Sequence, residues 1–145
     1  MEYMVTDVNK YPRITHKPSG AFVVLEPTRN GWSLAKGMTP VEHRGKGIGS
    51  DLRALATLFA HSTKKKITHH GININKPYSN NVSPSTRIVR RLGWRSTGNY
   101  NSEFDPALND ISKAMKQLGL ARQPLRALPG NQQRPGRPSR KSGSP

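Results

Sequence analysis

The feature that most constrains this chain is a glycine-rich stretch, Arg44-Gly-Lys-Gly-Ile-Gly-Ser50, which separates a strand-like segment (32–38) from a helical one (50–62). The helix is indicated by apolar residues at the spacing of one helical face, namely Leu52, Leu55, Ala56 and Phe59. Glycines let a backbone approach a ligand closely, and the first N–H groups of a helix have no partner within it. The sequence therefore predicts a turn that attracts negatively charged oxygens, as phosphate does at helix N-termini.

One other interpretation of the stretch stays open, and two known phosphate-binding motifs are excluded. Glycines of this kind also occur where a strand simply turns tightly into a helix. The stretch is neither a P-loop nor a dinucleotide fingerprint, because no Gly-Lys-Ser/Thr closes it and no acidic residue follows at the required spacing.

The remaining pattern predicts an α/β (α+β) fold with a mixed twisted sheet. A hairpin is predicted around Asn30-Gly31, because this dipeptide favours a tight turn. The other predicted elements are strands 3–8, 21–26, 67–75 and 94–100 and helices 85–92 and 106–118. Asp105-Pro106 is predicted to start the last helix, and Gly119 to end it. The order gives a β-α-β-α-β core whose strands on either side of the first helix run parallel.

Composition divides the 145 residues into four parts: an N-terminal extension 1–20, a core domain 21–104, a C-terminal amphipathic helix 105–120 and a basic tail 121–145. The tail is rich in proline and glycine, so we expect it to be disordered unless a partner holds it. The net charge is +16, with 24 Lys+Arg against 8 Asp+Glu. This balance favours an acidic protein surface or nucleic acid as a partner, contacted through residues 122–145.

Several classes of site are excluded by composition. The chain has no cysteine, which excludes disulfides, thiolate metal sites and a cysteine nucleophile. His69 and His70 are adjacent on a predicted strand, so they face opposite ways and are not expected to bind one metal ion. No apolar run is long enough to cross a membrane and residues 1–10 lack a signal peptide, so we expect a cytoplasmic protein.

Two segments carry a family resemblance. Arg44-Gly-Lys-Gly-Ile-Gly49 resembles the acyl-CoA pyrophosphate motif of the GNAT N-acetyltransferase superfamily. Ser85-Thr-Arg-Ile-Val-Arg-Arg-Leu-Gly-Trp94, followed by Gly98-Asn-Tyr100, resembles the helix and strand with which that fold ends. The resemblance covers about residues 21–100. It implies a sheet whose fourth and fifth strands part to admit the pantetheine arm of acetyl-CoA.

The resemblance also implies site residues. The cofactor-binding candidates are Arg44, Gly45, Lys46, Gly47, Gly49 and Ser50, with the thioester beside the strand that ends at Thr39. Acetyl transfer to an amine needs a base for the amine proton and donors for the developing oxyanion. The catalytic candidates by placement are Glu26, His43 and Tyr100, with Glu42 and Tyr78 as further candidates.

The chain departs from the family pattern in three respects. Only about twenty residues precede the central hairpin, so the wall of the acceptor site is expected to be short or missing. Val89 stands where many members have the tyrosine that protonates the departing thiolate. The helix 106–118 is expected to replace the closing hairpin.

Two functions follow as expectations. The first is an acetyl-CoA-dependent N-acetyltransferase with an unknown amine acceptor. The second is an inactive acetyltransferase-like structural or interaction protein, for example one associated with a bacteriophage virion, by analogy with small phage-encoded members of this kind. The missing front elements favour a homo-oligomer or a partner protein. A general basic nucleic-acid binder is a third and weaker alternative.

Overall fold

Seven strands form one mixed sheet in the part of the chain that the computed structural model describes, which is residues 2–71, 83–98 and 100–120. The strands are β1 Tyr3–Thr6, β2 Arg13–His16, β3 Phe22–Thr28, β4 Gly31–Met38, β5 Lys66–His70, β6 Arg95–Ser96 and β7 Asn101–Phe104. The helices are α1 Ile48–Thr63, α2 Pro84–Arg91 and α3 Ser112–Gln117, and a short 3-10 turn spans Val41–His43. The predicted α/β class with a mixed sheet is confirmed.

The sheet order is β1-β2-β3-β4-β5-β7-β6, and all neighbours are antiparallel except β4 and β5. The parallel pair is the one on either side of α1, as the order of elements predicts. Helix α1 contacts β2, β3, β4 and β5, while α2 contacts β7 and α3 packs on α1. No helix among the described residues is long and apolar enough to span a bilayer.

The core lies between the sheet and these helices. Strand alternation sends every second side chain inward. On β3, Val23 and Leu25 are fully buried, whereas Val24 is half-buried and Glu26 is exposed. The other large fully buried side chains include Ile14, Leu52, Ile67, Val89 and Phe104.

Strands β4 and β5 are paired over only part of their length. Gly31 to Ser33 pair with Lys66 to Thr68, and the pairing then stops although β4 continues to Met38. The start of the pair is very close, since a β-carbon on Gly31 would collide with the Lys66 carbonyl oxygen. On its other side, β4 pairs with β3 through a bulge in which Ala35 is the extra residue. Bulges bend and twist a strand, so β4 turns away from β5.

The N-terminal segment contributes more to the sheet than the sequence pattern predicts. Strand β1 lies within the predicted segment 3–8, but β2 was not predicted. It is only four residues long and lies between Pro12 and Pro18, so its alternation is too short to recognise. Both strands belong to the same sheet as the core domain, with β2 inserted between β1 and β3.

The chain closes with an antiparallel pair of strands, and the expectation that a helix replaces this closing hairpin is wrong. The single predicted strand 94–100 is in fact the two-residue β6, and β7 follows it. Strand β7 is mostly polar and buries only Ser102 and Phe104. Its position depends on pairing with β5, which lies about thirty residues earlier.

Helix α3 is shorter than predicted at its start. Asp105 accepts a hydrogen bond from the Ala107 N–H (2.9 Å), but only one turn follows, closed by the Leu108 and Asn109 N–H groups on the Asp105 carbonyl (2.9 and 2.7 Å). The helix begins at Ser112, whose N–H and hydroxyl both bind Asp110 (3.0 and 2.6 Å). The predicted end at Gly119 is confirmed, since its φ is +76° and the Leu120 N–H closes on the Met115 carbonyl at 2.7 Å.

Candidate functional site

The loop between β4 and α1 takes a conformation that requires glycine at two positions. Gly45 and Gly47 have φ values of +80° and +81°, in the left-handed region. A β-carbon at either position would have no heavy atom within 4 Å, so space is not the constraint. The backbone conformation alone explains both glycines.

This loop presents a run of backbone N–H groups without acceptors. From Gly45 to Ser50, no N–H group has an acceptor among the described residues; the first that does is Asp51, which binds the Gly47 carbonyl at 2.9 Å. Gly47 is the N-cap of the sixteen-residue helix α1, and no side chain caps it. Unpaired N–H groups and the positive end of the helix dipole favour an anion at this position.

The loop forms one wall of an open groove of about 530 Å³. The predicted site residues that line it together are His43, Arg44, Gly45, Gly47, Gly49 and Ser50. Lys46 is exposed and does not line the groove. The groove has no acidic lining residue, and the Arg44 Nε atom donates to the Thr39 carbonyl at 3.0 Å. Its charge and its backbone donors both suit a negatively charged ligand.

A second cluster, which sequence reasoning missed, connects α1, α2 and β5. Arg53 donates through Nε to the Ser85 hydroxyl at 2.8 Å and through Nη1 to the Gly49 carbonyl at 3.0 Å. The Ser85 oxygen also lies 2.9 Å from Nε2 of His69. We call Arg53, Ser85 and His69 the gap cluster, because they lie where β4 and β5 diverge.

His69 is the least solvated member of the gap cluster. Its exposed fraction is 6%, and its Nδ1 atom is buried without a hydrogen-bond partner. Burial, followed by the positive charges of Arg53, His70 and Arg90, lowers its pKa to about 4. His69 is therefore neutral near pH 7.

His70 lies on the other side of the strand. It is exposed and bonds through Nδ1 to Asn101 (2.9 Å), so the predicted opposite orientation of the two histidines is confirmed. Within the described ranges, no group of three His, Asp or Glu residues is placed to hold a metal ion.

The gap itself has a volume of about 220 Å³. It is lined by residues 34–37 of β4, by residues 69–71 at the end of β5, and by Arg53, Ser83 and Ser85. Gly37, Arg53 and Ser85 line both this gap and the larger groove, so the two spaces adjoin. The described lining of the gap contains no carboxylate. Arg53 and His69 face it, whereas His70 and Lys36 border it from strands on which their side chains face the other way.

The three predicted catalytic residues are not brought together. His43 lines the groove. Glu26 lies on the opposite face of the sheet, in a separate pocket of about 460 Å³ with Arg13 and Lys36. Tyr100 lies before β7, where its carbonyl accepts the Gly71 N–H at 2.6 Å. Tyr78 lies outside the described residues.

Val89 is the residue that the resemblance places at the position of a tyrosine in many family members. Val89 is fully buried in the core. A valine there offers no proton donor to a ligand in the groove.

Helix α1 is held in place by a network at its first turn. Asp51 accepts the Tyr3 hydroxyl at 3.0 Å and the Gln117 amide at 2.9 Å. Burial and this hydrogen bond raise the pKa of Tyr3. One carboxylate thus joins β1 and α3 to the end of α1 that carries the loop.

Comparison with protein-family models, with curated proteins and with solved structures finds no match for this chain. Function is therefore inferred from the loop, the groove and the gap.

Proposed function

We propose that this protein binds acetyl-CoA in the groove and that it is a GNAT-like N-acetyltransferase acting on an amine. The observation that carries the proposal is the run of N–H groups from Gly45 to Ser50. Six consecutive donors at the start of a long helix, on a groove without acidic residues, suit a pyrophosphate better than a neutral ligand. Arg44 and Lys46 add positive charge to the same loop.

The divergence of β4 and β5 supports the same proposal. The resemblance implies that a fourth and a fifth strand part to admit the pantetheine arm. Here the gap opens beside residues 34–37, whose edge is not paired with β5, and it adjoins the groove that the loop lines. Unpaired backbone groups along an extended strand are natural partners for the amides of such an arm.

In this proposal, acetyl-CoA supplies the activated acyl group, and the chain binds and orients it. The loop amides hold the pyrophosphate, and the edge of β4 that is not paired with β5 holds the arm. His43 is the titratable side chain at the groove, so it is the group that takes the amine proton. Glu26 is placed to act only on a ligand that reaches the opposite face.

Calorimetric titration with CoA tests the binding step. We expect binding by the intact chain and a loss of at least about tenfold in affinity for Arg44→Glu, because a like charge then faces the phosphates. Arg29→Glu, in the exposed turn between β3 and β4, is the matched control and should bind CoA as the wild type does. Undetectable binding by the wild type would reject the proposal.

Valine at position 89, which has no proton to donate, favours a second candidate, an acetyltransferase-like protein that binds without catalysis. In this alternative, the basic tail 122–145, which lies outside the described residues, docks on an acidic assembly such as a virion or on nucleic acid. CoA binding without acetyl transfer to any of a panel of amines would favour this candidate. Removal of residues 122–145 should then abolish assembly and leave CoA affinity unchanged.

A further inference from the structure

Arg53 of the gap cluster has no acidic partner in the part of the chain that the structure describes. Arg53 is largely withdrawn from water, and burial lowers its pKa. Its hydrogen bonds go to Gly49 and Ser85, which are neutral, and no carboxylate among the described residues lies within 4.0 Å. Three of its five N–H groups have no acceptor among those residues. A charge in this environment is costly unless an anion joins it.

The same cluster contains a polar atom without a partner. Arg53 donates to the Ser85 oxygen, which leaves the Ser85 hydroxyl hydrogen for Nε2 of His69. In that arrangement the His69 proton is on Nδ1, which is buried and has no hydrogen-bond partner. Unsatisfied buried donors are rare, and each calls for an acceptor.

We propose that the gap between β4 and β5 is a second anion site, in which Arg53, Ser85 and His69 bind a small oxyanion and His69 takes up a proton as the oxyanion binds. The oxyanion is a carboxylate or a phosphate group. A volume of about 220 Å³ is about seven times the ~30 Å³ share of one water molecule in the liquid, which is room for a small anion with a few waters. The site is distinct from the loop amides. It is the same gap that the arm of acetyl-CoA would enter, so the oxyanion binds the chain when no CoA is bound.

The charges around His69 explain the coupling. Arg53 on α1, Arg90 on α2 and His70 on β5 all disfavour a positive imidazole. Lys36 on β4 borders the gap, but it pairs with Val24, so its side chain lies on the opposite face with Glu26. The nearest acid on β7 is Glu103, which pairs with Thr68 and so faces the opposite side of the sheet, where it bonds to Lys66 and Arg95. An added anion would offset the repulsion and stabilise the protonated ring.

The sign of the pH dependence follows from this coupling. The oxyanion raises the pKa of His69 above its value of about 4 in the unliganded protein. Between those two values, the liganded state holds more protons than the unliganded one. The affinity for the oxyanion should therefore rise as the pH falls through that interval, by up to about tenfold per pH unit.

The test is an NMR titration of the His69 ring in the full chain. The midpoint is measured in chloride, in acetate and in inorganic phosphate at one ionic strength. We expect the midpoint to rise by about one unit or more in acetate or phosphate relative to chloride. A shift in acetate alone identifies a carboxylate site, and a shift in phosphate alone identifies a phosphate site. An unmoved midpoint in both would overturn the proposal.

Variants separate the gap from general surface charge. Arg53→Gln should abolish the shift, whereas Arg87→Gln, the same change at an exposed position of α2, should retain it. If Arg53→Gln does not fold, Ser85→Ala provides the test, because it removes one hydroxyl and should weaken anion binding about tenfold. A shift of equal size in wild type and in the folded variant would refute the site. Because no CoA is present, failure here leaves the proposed function untouched.

Discussion

Trp94 illustrates how single polar groups hold the helices on the sheet. Its indole Nε1 donates to the Thr57 hydroxyl at 2.9 Å within the core, and that hydroxyl donates to the Arg53 carbonyl at 2.8 Å. Both side chains are nearly or fully inaccessible to water. A buried donor that loses its only partner pays its full desolvation cost.

We expect Thr57→Val to lower the free energy of unfolding by about 1–3 kcal/mol, because it leaves the Trp94 N–H unpaired in the core. Chemical denaturation of the two proteins measures the difference. Thr63→Val is the matched control: Thr63 accepts the Trp32 indole at 3.1 Å at a less buried site, where water replaces the lost partner. Equal losses in the two variants would contradict the argument.

His69 should make the fold sensitive to acid. Its pKa is about 4 in the folded chain against 6.5 for an ordinary histidine, so the unfolded chain binds more protons between these values. Stability from this residue is complete above about pH 6.5 and is lost as the pH falls towards 4, by up to about 3 kcal/mol. Denaturation at several pH values should show a steeper fall for wild type than for His69→Gln. Parallel pH profiles would be the contrary result.

Among the site residues, the sequence predicts those of the loop well and those of the gap cluster poorly. Gly45 and Gly47 are required by their own backbone conformation, so a glycine pattern in the sequence is enough to predict the loop. The members of the gap cluster lie on α1, α2 and β5, and only the tertiary fold brings them together. The sequence gives one indication of this cluster: Gly49, Arg53 and Thr57 are spaced four residues apart, so they lie on one face of the predicted helix.

Helices and strands were predicted where neighbouring residues specify them and missed where distant residues do. Helix α1 and the β3–β4 hairpin were predicted because periodicity and the Asn30-Gly31 turn specify them locally. Strand β7 was missed because its residues are polar and its partner β5 is distant in sequence. The start of α3 was misplaced because Asp105 and Asp110 each accept the N–H group two residues later, and only the turn after Asp110 continues as a helix.

Replacing Asp51 with asparagine should lower the stability of the fold and strengthen ligand binding at the loop. Asp51→Asn weakens the bonds that hold Tyr3 and Gln117 to α1, so we expect a loss of about 1–2 kcal/mol in unfolding free energy. It also removes the only acid in the first turn of α1, next to the loop. We therefore expect stronger binding of a phosphate-bearing ligand, by severalfold. Denaturation and CoA titration measure the two effects, and a variant that loses both stability and affinity would argue against an anion at the loop.

Among the residues that the structure describes, β1 has a neighbouring strand on one side only. Strand β1 is at the end of the sheet, and Met4 and Val5 on it are each 44% exposed. An unpaired edge with apolar side chains favours pairing with another strand. We propose that this edge mediates self-association.

Sedimentation over a range of protein concentrations tests this proposal. The wild type should associate as the concentration rises, and Val5→Lys should shift the equilibrium to the monomer, because a lysine on an edge strand opposes pairing. Arg29→Lys, in an exposed turn away from this edge, is the control and should associate like the wild type. A wild type that stays monomeric at all concentrations would contradict the proposal.

The bulge at Ala35 has a consequence for how such a chain could gain or lose a binding site. One inserted residue bends β4 away from β5, and the space that results holds every polar group assigned above to the gap. Without that residue, we expect β4 to continue pairing with β5 beyond Ser33, which would close the gap between them. We therefore expect the insertion or deletion of one residue in β4 to decide whether this sheet offers a binding site.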